Sequence, residues 1–254
     1  MTELVHYSVD RLIATAVLDS PANRNALSAQ LVGELTEHLQ RAAQDQNVRA
    51  VVLTHTGTTF CAGADLKESS AQGGAGEGTG RLVALMRAIV ELPVPVAARI
   101  DGHVRAGGLG IIGACDIAVA GPAATFAFTE VRLGLAPAII SLSTLGRMSQ
   151  RAASRYYLTG ETFDASQAAA SGLITNAVPD LDAEIATITD ALRAGAPQGL
   201  AETKPLTTRA TLAGFTADAA QLQAQSARLF ASPDAREGML AFLERRPPAW
   251  AAPS

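Results

Sequence analysis

Two short stretches and one acid hold most of the chemistry that this 254-residue sequence can offer. "FCAGADLK" (Phe60–Lys67) and "DGHVRAGGLG" (Asp101–Gly110) each follow an apolar run. Each also places small residues where a strand would turn into a helix. Small side chains there leave backbone N–H groups bare and let a ligand approach closely. One amide from each loop could meet a carbonyl oxygen that gains negative charge during a reaction. Tight packing explains either loop taken alone. The acid is Glu130, between "TFAFT" and "VRLGLA". Apolar surroundings would raise its pKa toward neutrality, as a general acid/base requires; the alternative is an ion pair with Arg132 or Arg105. His103 could bond a substrate or fix its own loop. Arg105 could bind a second carboxylate on a substrate, or pair with an acid of a neighbouring loop. Asp116 reads as a structural residue at the end of an apolar helix. Cys61 and Cys115 have no ligand spacing and the four histidines are scattered, so no metal is expected.

The elements that must position these groups follow from the apolar patterning. "RLIATAVLD" and "VRAVVLTH" read as strands, the second so continuously apolar that its sheet should be covered on both faces. Between them Ser28 is a candidate N-cap for a helix with Leu31, Leu35, Leu39 and Ala42 on one face. "RLVALMRAIVEL" is an amphipathic helix stopped by Pro93 and Pro95. "VAARI", "DIAVA" and "TFAF" are further strands, and Gly108–Ala114 is an all-apolar helix. Strand–loop–helix repetition of this kind predicts an α/β architecture with buried parallel strands. "SSAQGGAGEGTG" (Ser69–Gly80) reads as a mobile loop. Beyond residue 145 helices dominate, with "LITNAVP" as one last strand. From Asp182 to Leu243 the pattern is helical throughout, over "LDAEIATITDALRAG", "GLAETKPLTTRATLAG" and "TADAAQLQAQSARLFAS", a tail with too little core to stand alone.

Composition narrows the class. With 48% hydrophobic residues the chain can bury a sizeable core, and a net charge of −4 argues against nucleic acid or an anionic membrane as main partner. The N-terminus has an early acid and no apolar h-region, and no apolar run reaches a membrane span. A reduced, cytoplasmic protein is the expectation.

Seven segments in order, "LDSPANRNALS", "FCAGADLKE", "PVPVAARIDGHVRAGG", "ACDIAVAG", "TFAFTEVRLGLAP", "YYLTGETFDASQAAASGLI" and "SPDAREGMLAFLERRPPAW", give the chain its resemblance to the enoyl-CoA hydratase/isomerase (crotonase) superfamily. "TEVRLGLAPAIIS" is similar to the 3-methylglutaconyl-CoA hydratase-like subgroup. The resemblance implies a spiral of ββα units over residues 1–190 and a helical trimerisation region over 191–254. It implies a homotrimer or dimer of trimers, and an acyl-CoA thioester as substrate with no separate cofactor. By motif position, Ala64 and Gly107 would donate their amides to the thioester oxygen. CoA would lie against Ala22, Arg24, Ala26, Ala62, Leu66 and Lys67. Family hydratases use two glutamates; this chain keeps Glu130 and has Gly110 where the first would stand, which would leave room beside the acyl chain. The implied reaction is hydration of a 2-enoyl-CoA. A Δ3–Δ2 enoyl-CoA isomerase and a non-catalytic acyl-CoA-binding homologue are the alternatives.

Overall fold

The computed structural model describes residues 2–65, 68 and 76–251. An edge hairpin of β1 (Val5–Asp10) and β2 (Ile13–Leu18) opens the chain. Helix α1 (Ala29–Gln44) follows; the Ser28 side chain accepts from the Leu31 N–H, and Leu31, Leu35, Leu39 and Ala42 are buried. From there the chain alternates between two sheets. β3 (Ala50–His55), β5 (Val96–Ile100) and β7 (Ile117–Ala120), with β10 (Asn176–Ala177) at the far edge, extend a six-stranded sheet in the order β1-β2-β3-β5-β7-β10. β4 (Thr59–Cys61), β6 (His103–Arg105), β8 (Thr125–Ala127) and β9 (Phe163–Asp164) build a second sheet in the order β4-β6-β8-β9. Helix α2 (Gly76–Glu91) follows β4, and α3 (Gly107–Ala114) follows β6. Each turn of the spiral thus gives one strand to each sheet and then one helix. This is the crotonase-like α/β fold that the sequence motifs imply.

The continuous apolar character of β3 has a direct cause. Val51 and Leu53 face the main core, while Ala50 and Val52 face a second cluster with Ile13, covered by Ile185 and Leu192 of α7 (Leu181–Ala194). Strands covered on both faces cannot alternate polar with apolar.

Short elements follow β8: α4 (Ser141–Thr144), α5 (Gln150–Thr159), β9 (Phe163–Asp164), α6 (Ala165–Ser171) and β10 (Asn176–Ala177). The tail is helical, as its pattern predicts. Its two middle stretches form one helix, α8 (Pro197–Phe230), running through Gly214 and holding Pro205 inside it. α8 packs on α2. Lys204 anchors it from within: its Nζ lies 2.8 Å from Asp116 Oδ2 and donates to the carbonyls of Ile89 and Val94. Asp116 also accepts from the Val96 N–H, so the ion pair fastens α8 to the start of β5. The last helix, α9 (Pro233–Glu244), turns back toward the end of β8. Among the described residues no helix is long and apolar enough to cross a membrane.

Candidate active site

The carboxyl ends of β4, β6 and β8 lie side by side, and each delivers one group to a common cavity of about 620 Å³. After β4 comes Gly63, whose φ of +92° only glycine adopts easily. A Cβ there would sit 3.3 Å from the Gly107 nitrogen and 2.8 Å from Ala106 Cβ, so the two small-residue loops touch backbone to backbone. Gly107 opens α3, where the first-turn amides have no intrahelical acceptor. Neither its N–H nor that of Ala64 has a backbone acceptor among the described residues. Ala106 aims the Gly107 amide from φ 45°, ψ −118°, a strained conformation for a residue with a Cβ. Ala64, Gly107 and Glu130 all line the cavity.

The segment Arg24–Leu27 holds the first loop in place. Ala62 N–H donates to Arg24 O, Leu27 N–H donates to Gly63 O, and Leu27 pairs with Ala64. Arg24 and Asn25 both take left-handed φ values. Asn25, wholly buried, accepts from the Ser20 N–H and donates to Thr59 O and Thr56 O. This side chain, absent from the sequence-based site, sets the path of the whole segment. Its signal is the "NRN" of a turn-rich loop, where asparagine tolerates the left-handed region.

Glu130 lies in a 3-10 turn, Thr129–Leu133, directly after β8. Its Oε2 is sealed from solvent and has no hydrogen-bond partner. Burial lifts its pKa from the usual 4.5 to about 7. No cation pairs with it among the described residues: Arg132 donates to Thr159 O, and Arg105 to Val104 O and Thr125. Helix α9 backs this turn at van der Waals range. A Cβ on Gly238 would lie 2.5 Å from the Leu133 carbonyl carbon, and one on Gly134 equally close to that of Asp234. The same helix lends Met239, Phe242 and Leu243 to the cavity.

Of the residues expected to bind substrate, Arg24, Ala26, Ala62 and Arg105 border the cavity and Ala22 does not. Leu66 and Lys67 lie outside the described residues. Two expectations require correction. His103 is exposed and off the cavity, its Nδ1 2.9 Å from Thr125 Oγ1. Gly110 does not open space beside the acyl chain. A Cβ there would come within 2.6 Å of Met86 Sδ and 2.7 Å of Ile140 Cγ2, and the Gly110 carbonyl accepts from Ser143 Oγ. The place of a second carboxylate is filled by apolar side chains. Arg105 likewise meets neutral oxygens rather than the neighbouring acid considered from sequence.

The sequence pattern of the enoyl-CoA hydratase/isomerase family matches residues 10–253. The chain belongs to that family. A crystal structure of an enoyl-CoA hydratase from Mycobacterium avium is 56% identical and covers 99% of this chain and 100% of its own, with a TM-score of 0.94. A carnitinyl-CoA hydratase from the same organism superposes over 100% of both chains with a TM-score of 0.86 at 27% identity. The 2,3-dehydroadipyl-CoA hydratase of Escherichia coli is 30% identical over 251 residues, 98% of each chain. Enzymes of this family act on acyl-CoA thioesters, and in this chain the Ala64 and Gly107 amides and Glu130 line one cavity. Among the described residues no group of three or more His, Cys, Asp or Glu side chains is placed to hold a metal ion.

Proposed function

We propose that the chain adds water reversibly to a 2-enoyl-CoA with Glu130 as its one proton carrier. The observation that carries this is the partnerless Oε2 of Glu130, buried beside the two free amides. The thioester oxygen accepts from the Ala64 and Gly107 N–H groups. Glu130 takes a proton from water, the water oxygen bonds to the β-carbon, and the π electrons move onto the thioester oxygen as an enolate. The protonated Glu130 then gives the proton to the α-carbon, collapsing the enolate. One group does both steps, and a pKa of about 7 suits it to each. Fixed amides at the developing charge contribute about 3–4 kcal/mol per donor in comparable sites.

The filled space at Gly110 favours a second reading, Δ3–Δ2 isomerisation. There Glu130 removes the α-proton of a 3-enoyl-CoA and returns it to the γ-carbon, with the same enolate between. The fine substrate is open to the same treatment: the dicarboxylic acyl group in the name of the Escherichia coli relative supports testing branched and carboxylated acyl chains. Hydration of crotonyl-CoA and 3-methylglutaconyl-CoA, measured beside isomerisation of a 3-enoyl-CoA, separates the readings. Faster hydration upholds the first; isomerisation alone replaces it with the second; tight binding without turnover removes both.

The exposed apolar side chains of the tail, Leu206, Leu240, Phe242, Leu243 and Trp250, support a trimer-building role for residues 191–254. A monomeric mass in solution at micromolar concentration would refute it.

A further inference from the structure

Arg105 is a half-buried cation without a counter-charge. Arg81, Arg99, Arg155, Arg193 and Arg246 each meet a carboxylate. Arg105 meets none among the described residues, and the undescribed positions contain neither Asp nor Glu. Its Nη1 donates to Val104 O and Thr125 O, and its Nη2 to Thr125 Oγ1, which leaves N–H groups unused. Burial alone draws its pKa below the ordinary arginine range, with no acid offsetting it. A buried charge of this kind is costly unless something pairs with it.

Arg147 shows how the fold deals with another half-buried guanidinium. It donates to Gly113 O and Cys115 O at the carboxyl end of α3, where the helix dipole is negative. Arg105 stands at the opposite end, two residues before Gly107, where the dipole is positive. It also borders the cavity lined by Arg24 and Arg132, neither of which forms an ion pair with a carboxylate among the described residues. The remaining acids on the wall, Asp65 and Glu130, form no ion pair with it, and burial raises the pKa of Glu130 to about 7, which favours its neutral form.

We propose that Arg105 holds an anionic group of the bound thioester, in addition to stapling β6 to β8. The proposal rests on the acyl-CoA reading above. The anion has two possible sources with one chemistry, a phosphate of CoA or a second carboxylate on the acyl chain. Charge-assisted hydrogen bonds to such a group shift affinity about ten- to hundredfold.

The test compares wild type with Arg105→Met on three thioesters: crotonyl-CoA, crotonyl-pantetheine and a 2-enoyl-CoA with a terminal carboxylate. Turnover of crotonyl-CoA by wild type checks the underlying function separately. If Arg105 binds phosphate, kcat/KM for crotonyl-CoA falls about ten- to hundredfold while crotonyl-pantetheine falls far less. If it binds an acyl carboxylate, the carboxylated ester falls by that factor beyond crotonyl-CoA. Equal losses on all three, or no loss on any, overturn the proposal. Thr125→Val guards against a folding effect. It removes one staple acceptor and leaves the charge, so it should not reproduce the selective loss. If it does, Arg105 is structural only. Should Arg105→Met fail to fold, Arg105→Gln gives the same comparison: it keeps two staple donors but loses the charge, and the same selective loss is expected.

Discussion

Replacing Gly110 probes the one position where this chain departs from the two-glutamate pattern. The structure puts Met86 Sδ 2.6 Å and Ile140 Cγ2 2.7 Å from a Cβ built on Gly110, with Ile140 Cβ at 3.1 Å. Both neighbours are buried, so neither can swing into solvent. Overpacking of a close-packed core costs about 1–3 kcal/mol. The alanine of Gly110→Ala recovers about 0.5–1 kcal/mol of helix propensity. At the middle of those ranges a net loss of about 1 kcal/mol remains, which for a chain of this size lowers Tm by roughly 2–4 °C. Gly110→Glu adds an unpaired buried carboxyl and should lose several kcal/mol more, without gaining hydration rate. Thermal unfolding followed by circular dichroism reads both variants. A double-mutant cycle with Met86→Ala makes the test specific: the pair should be less destabilised than the sum of its singles by about 0.5–1.5 kcal/mol. A Gly110→Ala protein as stable as wild type, or a strictly additive cycle, refutes the packing argument.

Other expectations follow from single residues. The folded state holds the Glu130 proton more tightly than the unfolded chain does, with a pKa of about 7 against 4.5. That contribution to stability is complete below about 4.5 and is lost as pH rises through 7. Glu130→Gln keeps no such dependence, so its stability relative to wild type should rise across that window by up to about 3 kcal/mol, read from urea unfolding at pH 4.5 and 8; a constant difference counts against a buried, raised carboxyl. Ala106→Gly releases the strain at φ 45° and should raise Tm by a few degrees, the about 1–3 kcal/mol released exceeding the chain entropy that glycine adds; a lower Tm means the strain is not there. Lys204→Met leaves Asp116 without its cation and should lose about 3–5 kcal/mol by urea unfolding, much of it recovered by adding Asp116→Asn. An unchanged midpoint in Lys204→Met contradicts the anchoring role.

Much of the architecture was legible because it rests on short-range patterning. β3, β5 and β7 are apolar runs bounded by turn residues, and α1 shows its cap and its buried face in sequence. The loops at Gly63 and Gly107 were legible for the same reason, since small residues at a strand-to-helix turn expose amides. β1 escaped notice because "VHYSVD" lies at the sheet edge, where Val5 alone is fully buried and the polar residues face solvent. The continuity of α8 was hidden by Gly214 and Pro205, whose propensities oppose a helix that tertiary packing and the Lys204–Asp116 pair sustain. The cavity wall contributed by α9 could not be read at all, because it depends on Gly134 and Gly238 letting two distant backbones touch. The meaning of Gly110 failed in the same way. A missing side chain suggested empty space, and only the positions of Met86 and Ile140 show it to be full.

The central claim is that Glu130 alone moves the proton while Ala64 and Gly107 hold the charge. Steady-state turnover of crotonyl-CoA by Glu130→Gln, with CoA-ester affinity measured in parallel, addresses it most directly. The expected result is a fall in kcat of about 10²–10⁴ with binding preserved. A variant that keeps wild-type turnover would contradict it.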